Sequence, residues 1–140
     1  MSPVAEALKT VAATLPAGVE LVAVSKFHPA EAIAEAYSAG QRIFGESRVQ
    51  ELSAKIPALP ADIRWHFIGH LQTNKVRKLL EAGPIALIES VDSERVLDAI
   101  DAESARLGIT SRVLMQVHVA AEETKFGFTP EEIEAYFSDR

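Results

Sequence analysis

A lysine follows the run Leu21-Val22-Ala23-Val24-Ser25, and Phe27-His28-Pro29 closes it. A continuous apolar run of this kind reads as a strand buried on both faces, with Lys26 where the strand leaves the sheet. In parallel α/β folds, ligands are held at that carboxyl end. A lysine amine has an ordinary pKa of about 10.4, so in water it is a cation and a poor nucleophile. Partial burial disfavours the charge, and a neutral amine can condense with an aldehyde to a Schiff base. Position alone favours a solvated strand-end charge, since most lysines lie at the surface.

Other polar residues fall just past apolar runs in the same way. These are Ser25 with Lys26, Glu46 with Ser47, His66 to Asn74, Ser90 with Asp92, and Gln116 to Lys125. If the strands are parallel, all of them gather on one rim, although turns are polar in any fold. Trp65 and Phe67 alternate with His66 and Ile68, so the two pairs face opposite sides of a strand. His66 reads as a satisfied structural histidine and His28 as a solvated loop residue. His70, beyond Gly69, is better placed to touch a ligand. No carboxylate pair at ligand spacing supports His66 and His70, so no metal site is expected. Lys75, Arg77 and Lys78 form either a solvated helix face or an anion patch. Glu122, Glu123 and Lys125 read as a charged loop, with Gly127 marking a specific turn.

The elements that must position these residues alternate. A helix is expected over 3–15, capped by Ser2 and started by Pro3, with Val4, Leu8, Val11 and Leu15 at helical spacing. Strand one spans 20–26. Pro29 opens a second helix, with Ile33, Ala36 and Tyr37 inward and Gly40 as its stop. Strand two is 42–44, and a third helix runs 48–56. Strand three is 64–69, followed by a polar loop, 70–74, and a basic helix over 75–82. Strand four is 85–89. Ser93 caps a long helix to Leu107 that Gly108 ends. Strand five is 112–119, a loop follows to 128, and Thr129 starts a last helix. Five strands alternating with helices at roughly 20 to 28 residues per unit imply parallel strands with right-handed crossovers. An open doubly wound sheet and part of an eight-unit barrel both fit, a complete barrel needing about 250 residues. The Ser25 to Pro29 turn lacks the Gly-x-Gly-x-x-Gly fingerprint of dinucleotide binding.

Composition sets outer limits. With 140 residues, 48% of them apolar and 24% charged, the chain suits one domain with a real core. No apolar run approaches the roughly 18 residues of a membrane span, and the first fifteen residues do not read as a signal peptide. The chain has no cysteine, which excludes disulfides, thiolate nucleophiles and zinc–thiolate sites. A net charge of −6 argues against a general nucleic-acid binder. A cytoplasmic setting is expected.

Several stretches together resemble the pyridoxal phosphate homeostasis protein family. They are Ala23-Val24-Ser25-Lys26, Gly40-Gln41-Arg42-Ile43-Phe44-Gly45-Glu46, Val49-Gln50-Glu51 and the long run from Trp65 through His66-Phe67-Ile68-Gly69-His70-Leu71-Gln72-Thr73-Asn74 to Lys75. Glu89-Ser90-Val91-Asp92-Ser93 and Glu123-Thr124-Lys125-Phe126-Gly127 also fit, in order and correctly spaced. The resemblance implies a partial TIM-type (β/α)8 barrel, similar to the N-terminal barrel of alanine racemase, with residues 1–140 as its N-terminal portion. It implies that Lys26 holds pyridoxal 5'-phosphate as a Schiff base, with Ser47 and His70 as further cofactor contacts. It also implies a carrier or regulator of the cofactor, with no catalytic residue. A racemase-like enzyme, which would need a second acid/base group across the cofactor, and a fragment that no longer binds it are the alternatives.

Two departures carry expectations. The family's Gly-Glu-Asn-Tyr is here Gly45-Glu46-Ser47-Arg48, so a shorter donor replaces the asparagine. Family members are longer, and their later strands supply a glycine- and serine-rich phosphate cradle; phosphate is normally held by such backbone N–H groups. With strands one and five as open edges and an uncovered sheet face, self-association or a complementing chain is expected.

Overall fold

The computed structural model describes residues 2–121 and 126–138. Ser2 begins the order: its Oγ accepts the Ala5 N–H at the start of α1 (Pro3–Ala12), and Pro3 gives up no hydrogen bond in that first turn. The helix stops earlier than its periodicity predicts, and Val11 lies exposed. Helix α2 (Ala30–Ser38) buries Ile33 and Ala36. Helix α3 (Val49–Lys55) is short and leads into a 3₁₀ turn, Ile56–Ala58, at Pro57. A second 3₁₀ turn, Thr73–Lys75, leads into α4 (Val76–Glu81). Helix α5 (Glu94–Leu107) is the longest. The Ser93 Oγ accepts the Val96 N–H at its start, and Gly108 ends it in the left-handed conformation at φ 68°. Thr129 and Glu132 form a reciprocal capping box for α6 (Pro130–Ser138).

The strands are β1 (Ala23–Val24), β2 (Ile43–Glu46), β3 (Arg64–Phe67), β4 (Leu87–Val91) and β5 (Val113–Met115). They pair in chain order, every pair parallel. Among the described residues β1 and β5 are therefore edges, as expected. They are also far shorter than the 20–26 and 112–119 read from apolar runs, because each has a ladder partner on one side only. Strand β4 lies two residues later than expected, with an irregular register against β5 between Ile88 and Val91.

Side chains alternate across this sheet. Phe44, Trp65, Phe67 and Ile88 face the helices. They join Ile33, Leu52, Leu79, Val96 and Ile100 in one buried core, where the Phe44 and Trp65 rings lie 6.0 Å apart. The opposite face carries Val24, Gly45, His66 and Leu87 in register. Val24 on β1 is 53% exposed and Leu114 on β5 is 52% exposed. The sheet is thus covered by helices on one side and open on the other, as one wall of a barrel would be.

Candidate functional site

The polar residues expected on one rim divide between the two faces. Ser25 and Glu46 turn towards the helices, and Glu46 is 0% exposed. Two-residue alternation forces this: Glu46 stands two positions from the core residue Phe44. Lys26, one position past Ser25, is exposed. The partial burial envisaged for it is not supplied by the described residues.

An ionic network, buried at Glu46 and Lys55, joins the residues on either side of Lys26. Lys55 Nζ donates to Glu46 Oε2 and Glu51 Oε2, both at 2.7 Å, and to the Ser25 carbonyl at 2.9 Å. Ser25 Oγ donates to Glu46 Oε2 at 2.5 Å. Glu46 Oε1 is buried without a hydrogen-bond partner among the described residues. Glu51 Oε2 also accepts the backbone N–H of Phe27 at 2.6 Å. Phe27 holds φ 67°, the only positive φ at a non-glycine residue among those described. The Arg48 guanidinium stands 4.9 Å from its ring centroid.

The Lys55 hydrogen bond holds the Glu51 carboxyl below its ordinary range. Burial, the next-largest effect, opposes it, and the Phe27 N–H and the charges of Lys55 and Arg48 add smaller lowering effects. A depressed carboxyl contributes stability above its unfolded pKa and loses it as pH falls through the folded value. Unfolding free energy is thus expected to hold from neutrality down to about pH 5 and to fall below about pH 4.3. Asp62 and Glu103 are held low too, by Tyr37 and Arg106 first, so Glu51→Gln should reduce the acid slope rather than abolish it. Urea titrations from pH 3 to 7 check this; identical slopes for both proteins would refute it.

Ser47 and His70 come together. They line one cavity of about 260 Å³ past the ends of β2 and β3, with Arg48, Lys75 and Lys78 as its cations. Lys26 does not line it. The His70 ring stacks on Phe126 at 3.9 Å. Its Nδ1 stands 2.8 Å from Asp92 Oδ2 without hydrogen-bond alignment, and that buried oxygen has no hydrogen-bond partner among the described residues. His66 is a satisfied histidine, with Nδ1 2.8 Å from Glu89 Oε1, but it lies on the open face rather than against the helices. Ser90 Oγ donates to the Gly69 carbonyl, tying the end of β4 to the exit of β3. Glu122, Glu123 and Lys125 lie outside the described residues.

Lys55 and Glu51 were not singled out by their sequence. One signal was present: Val49, Leu52 and Lys55 share one buried face of α3, so a cation sits where an apolar residue is due, with Glu51 four residues before it. Its main partner, Glu46, is fixed only by the fold. Among the described residues, no group of three or more His, Cys, Asp or Glu could hold a metal ion, and no helix is long and apolar enough to cross a membrane.

A parallel sheet, helices on one face and polar side chains at the strands' carboxyl ends define one wall of an α/β barrel. The family described as alanine racemase, N-terminal domain, matches residues 2–139, and the chain belongs to it. Among curated relatives, the pyridoxal phosphate homeostasis protein of Schizosaccharomyces pombe is 43% identical over 113 residues, which are 81% of this chain and 48% of that protein. The protein of the same name from Homo sapiens is 44% identical over 119 residues, 80% of this chain and 43% of its own length. The chain thus spans about half the length of the curated relatives it matches. Among solved structures, PipY of Synechococcus elongatus superposes with a TM-score of 0.91 without PLP and 0.87 with PLP bound. It is 42% identical, and 97% of this chain covers 63% of it. The partial barrel similar to the N-terminal domain of alanine racemase is the observed fold.

Proposed function

We propose that this chain holds pyridoxal 5'-phosphate as a Schiff base on Lys26 and serves intracellular homeostasis of that cofactor without turning over a substrate. The observation that carries this reading is the exposed lysine at the carboxyl end of β1, with the peptide groups on both sides of it hydrogen-bonded to the ion-paired side chains of Glu51 and Lys55. The relatives' shared name and PipY's PLP-bound form support it.

The residues present fit the aldehyde end of such a ligand. Lys26 is exposed in the turn past β1, with its Nζ 6.0 Å from the Phe27 ring centroid, and Gly45 on the open sheet face leaves only side chains, Ile68 and Val22, where a Cβ would stand. For the phosphate, the described residues offer the cations around Ser47 and His70 rather than a glycine-rich cradle. When bound, the cofactor supplies an aldehyde carbon. Lys26 would hold that carbon through its amine as a Schiff base, with release of one water. Ser47 and His70 are proposed to contact the ligand from their cavity. Self-association or a complementing chain is proposed to cover the open face and the edges at β1 and β5.

The test is trapping. After incubation with pyridoxal 5'-phosphate, borohydride delivers hydride to the imine carbon, and solvent protonates the nitrogen to a stable secondary amine. Mass spectrometry should place the adduct on Lys26, and Lys26→Ala should lose it. An unlabelled Lys26, or label spread evenly over the surface lysines, overturns the reading. Light scattering on the same sample should report more than one chain per particle; a well-folded monomer removes the proposal of a covering partner. Turnover of amino acids would favour a racemase-like enzyme instead.

A further inference from the structure

We propose that Glu51 is a positioning residue for Lys26, holding through its hydrogen bonds to Phe27 and Lys55 the two peptide groups that flank the reactive amine. The inference rests on the reading of Lys26 as the aldehyde-capturing residue and adds a device beneath it.

Its first support is connectivity. Glu51 Oε2 accepts the N–H of Phe27, one residue after Lys26, at 2.6 Å. The same oxygen receives Lys55 Nζ at 2.7 Å, and Lys55 Nζ donates to the carbonyl of Ser25, one residue before Lys26, at 2.9 Å. One carboxylate oxygen and one ammonium thus grip the chain on both sides of a single residue. From the sheet side, the Ser25 N–H donates to the Gly45 carbonyl at 2.9 Å.

The second support is backbone conformation. A bulky aromatic residue at φ 67° is an outlier that persists only when its surroundings over-determine it. Burial of the ring does not hold Phe27 there, since the residue is 67% exposed. The backbone of the turn is held by the Glu51 hydrogen bond and the closing bond from the His28 N–H to the Ser25 carbonyl at 3.1 Å, with the Arg48 guanidinium 4.9 Å from the ring centroid.

The third support is a division of labour within the network. Glu46 is wholly buried and pairs with Lys55 and Ser25, which suffices to join α3 to the sheet. Glu51 keeps 21% of its side chain exposed and still accepts the Phe27 N–H. A fixed direction for the Lys26 side chain matters because an amine must approach a carbonyl along a narrow path, and misplacement is costly in rate.

The experiment compares Glu51→Ala and Glu51→Gln with the wild-type chain. In Glu51→Ala, Lys55 keeps Glu46, so circular dichroism and cooperative melting should persist. Amide exchange at Phe27, read without any cofactor, should accelerate about tenfold or more as its acceptor is lost. Capture of pyridoxal 5'-phosphate at Lys26, followed by absorbance and assigned by borohydride trapping, should slow about tenfold. Glu51→Gln should restore both, because the amide oxygen accepts the same N–H without the charge; a purely structural ion pair would not be rescued in that way. Wild-type exchange at Phe27 in Glu51→Ala, or faster exchange with unchanged capture, overturns the positioning role alone. A wild-type chain that never captures the aldehyde at Lys26 overturns both readings.

Discussion

Replacing Lys55 by methionine should destabilise the chain by about 3–5 kcal/mol, the usual cost of removing one partner from a buried ion pair. Methionine matches the length of the lysine stem, so the loss is that of the ammonium rather than of volume. Lys55 Nζ is hydrogen-bonded to Glu46, Glu51 and the Ser25 carbonyl, and the lysine side chain is only 8% exposed. Without it, Glu46 is left as a wholly buried carboxyl group with one oxygen already lacking a partner among the described residues. Glu51, with 21% of its side chain exposed, could be resolvated, but the wholly buried Glu46 could not. Adding Glu46→Gln should therefore recover part of the loss, because a neutral amide still accepts the Ser25 hydroxyl. Urea unfolding at pH 7 measures both variants, with unchanged denaturant dependence as evidence that only stability moved. A cost under about 1 kcal/mol for Lys55→Met would show that the pair contributes no more than an exposed one.

That network marks the limit of what could be read in advance. Cap signals act over three or four residues, so Ser2, Ser93 and Gly108 announced helix ends that the structure keeps. Strand existence was equally local, because apolar runs such as Leu21 to Val24 are visible without knowing their neighbours. Strand length was not, since a residue joins a ladder only where another strand lies beside it. The separation of Glu46 from the rim was readable from alternation with Phe44, but a charged residue just past an apolar run suggests the surface more strongly than the core. The pairing of Lys55 with Glu46, nine residues apart across a turn, depends on how α3 lies on the sheet. The site shows the same limit. Ser47 and His70 share a cavity because the ends of β2 and β3 adjoin, whereas Lys26 stands apart from it.

The contact between those two strand exits supports the second large effect. A Cβ built on Gly69 would stand 2.1 Å from the Ser47 carbonyl oxygen and 2.7 Å from the Ser47 Cα and carbonyl carbon. These are backbone atoms, so no side-chain rotation relieves the clash. Nor can the two segments simply part, because the Ile68 N–H donates to the Glu46 carbonyl at 2.9 Å and the Gly69 carbonyl accepts the Ser90 hydroxyl. Gly69→Ala should cost at least the roughly 1–3 kcal/mol typical of overpacking, and displace Ser47 relative to His70. Gly45 provides the internal comparison. A Cβ there meets only Ile68 and Val22 side-chain carbons, at 3.1 Å, and these can shift by a few tenths of an ångström. Gly45→Ala should therefore be the milder change in urea unfolding, by at least about 1 kcal/mol. If Gly45→Ala proves as costly as Gly69→Ala, the exits of β2 and β3 are not in backbone contact, and the cavity that joins Ser47 to His70 loses its physical basis.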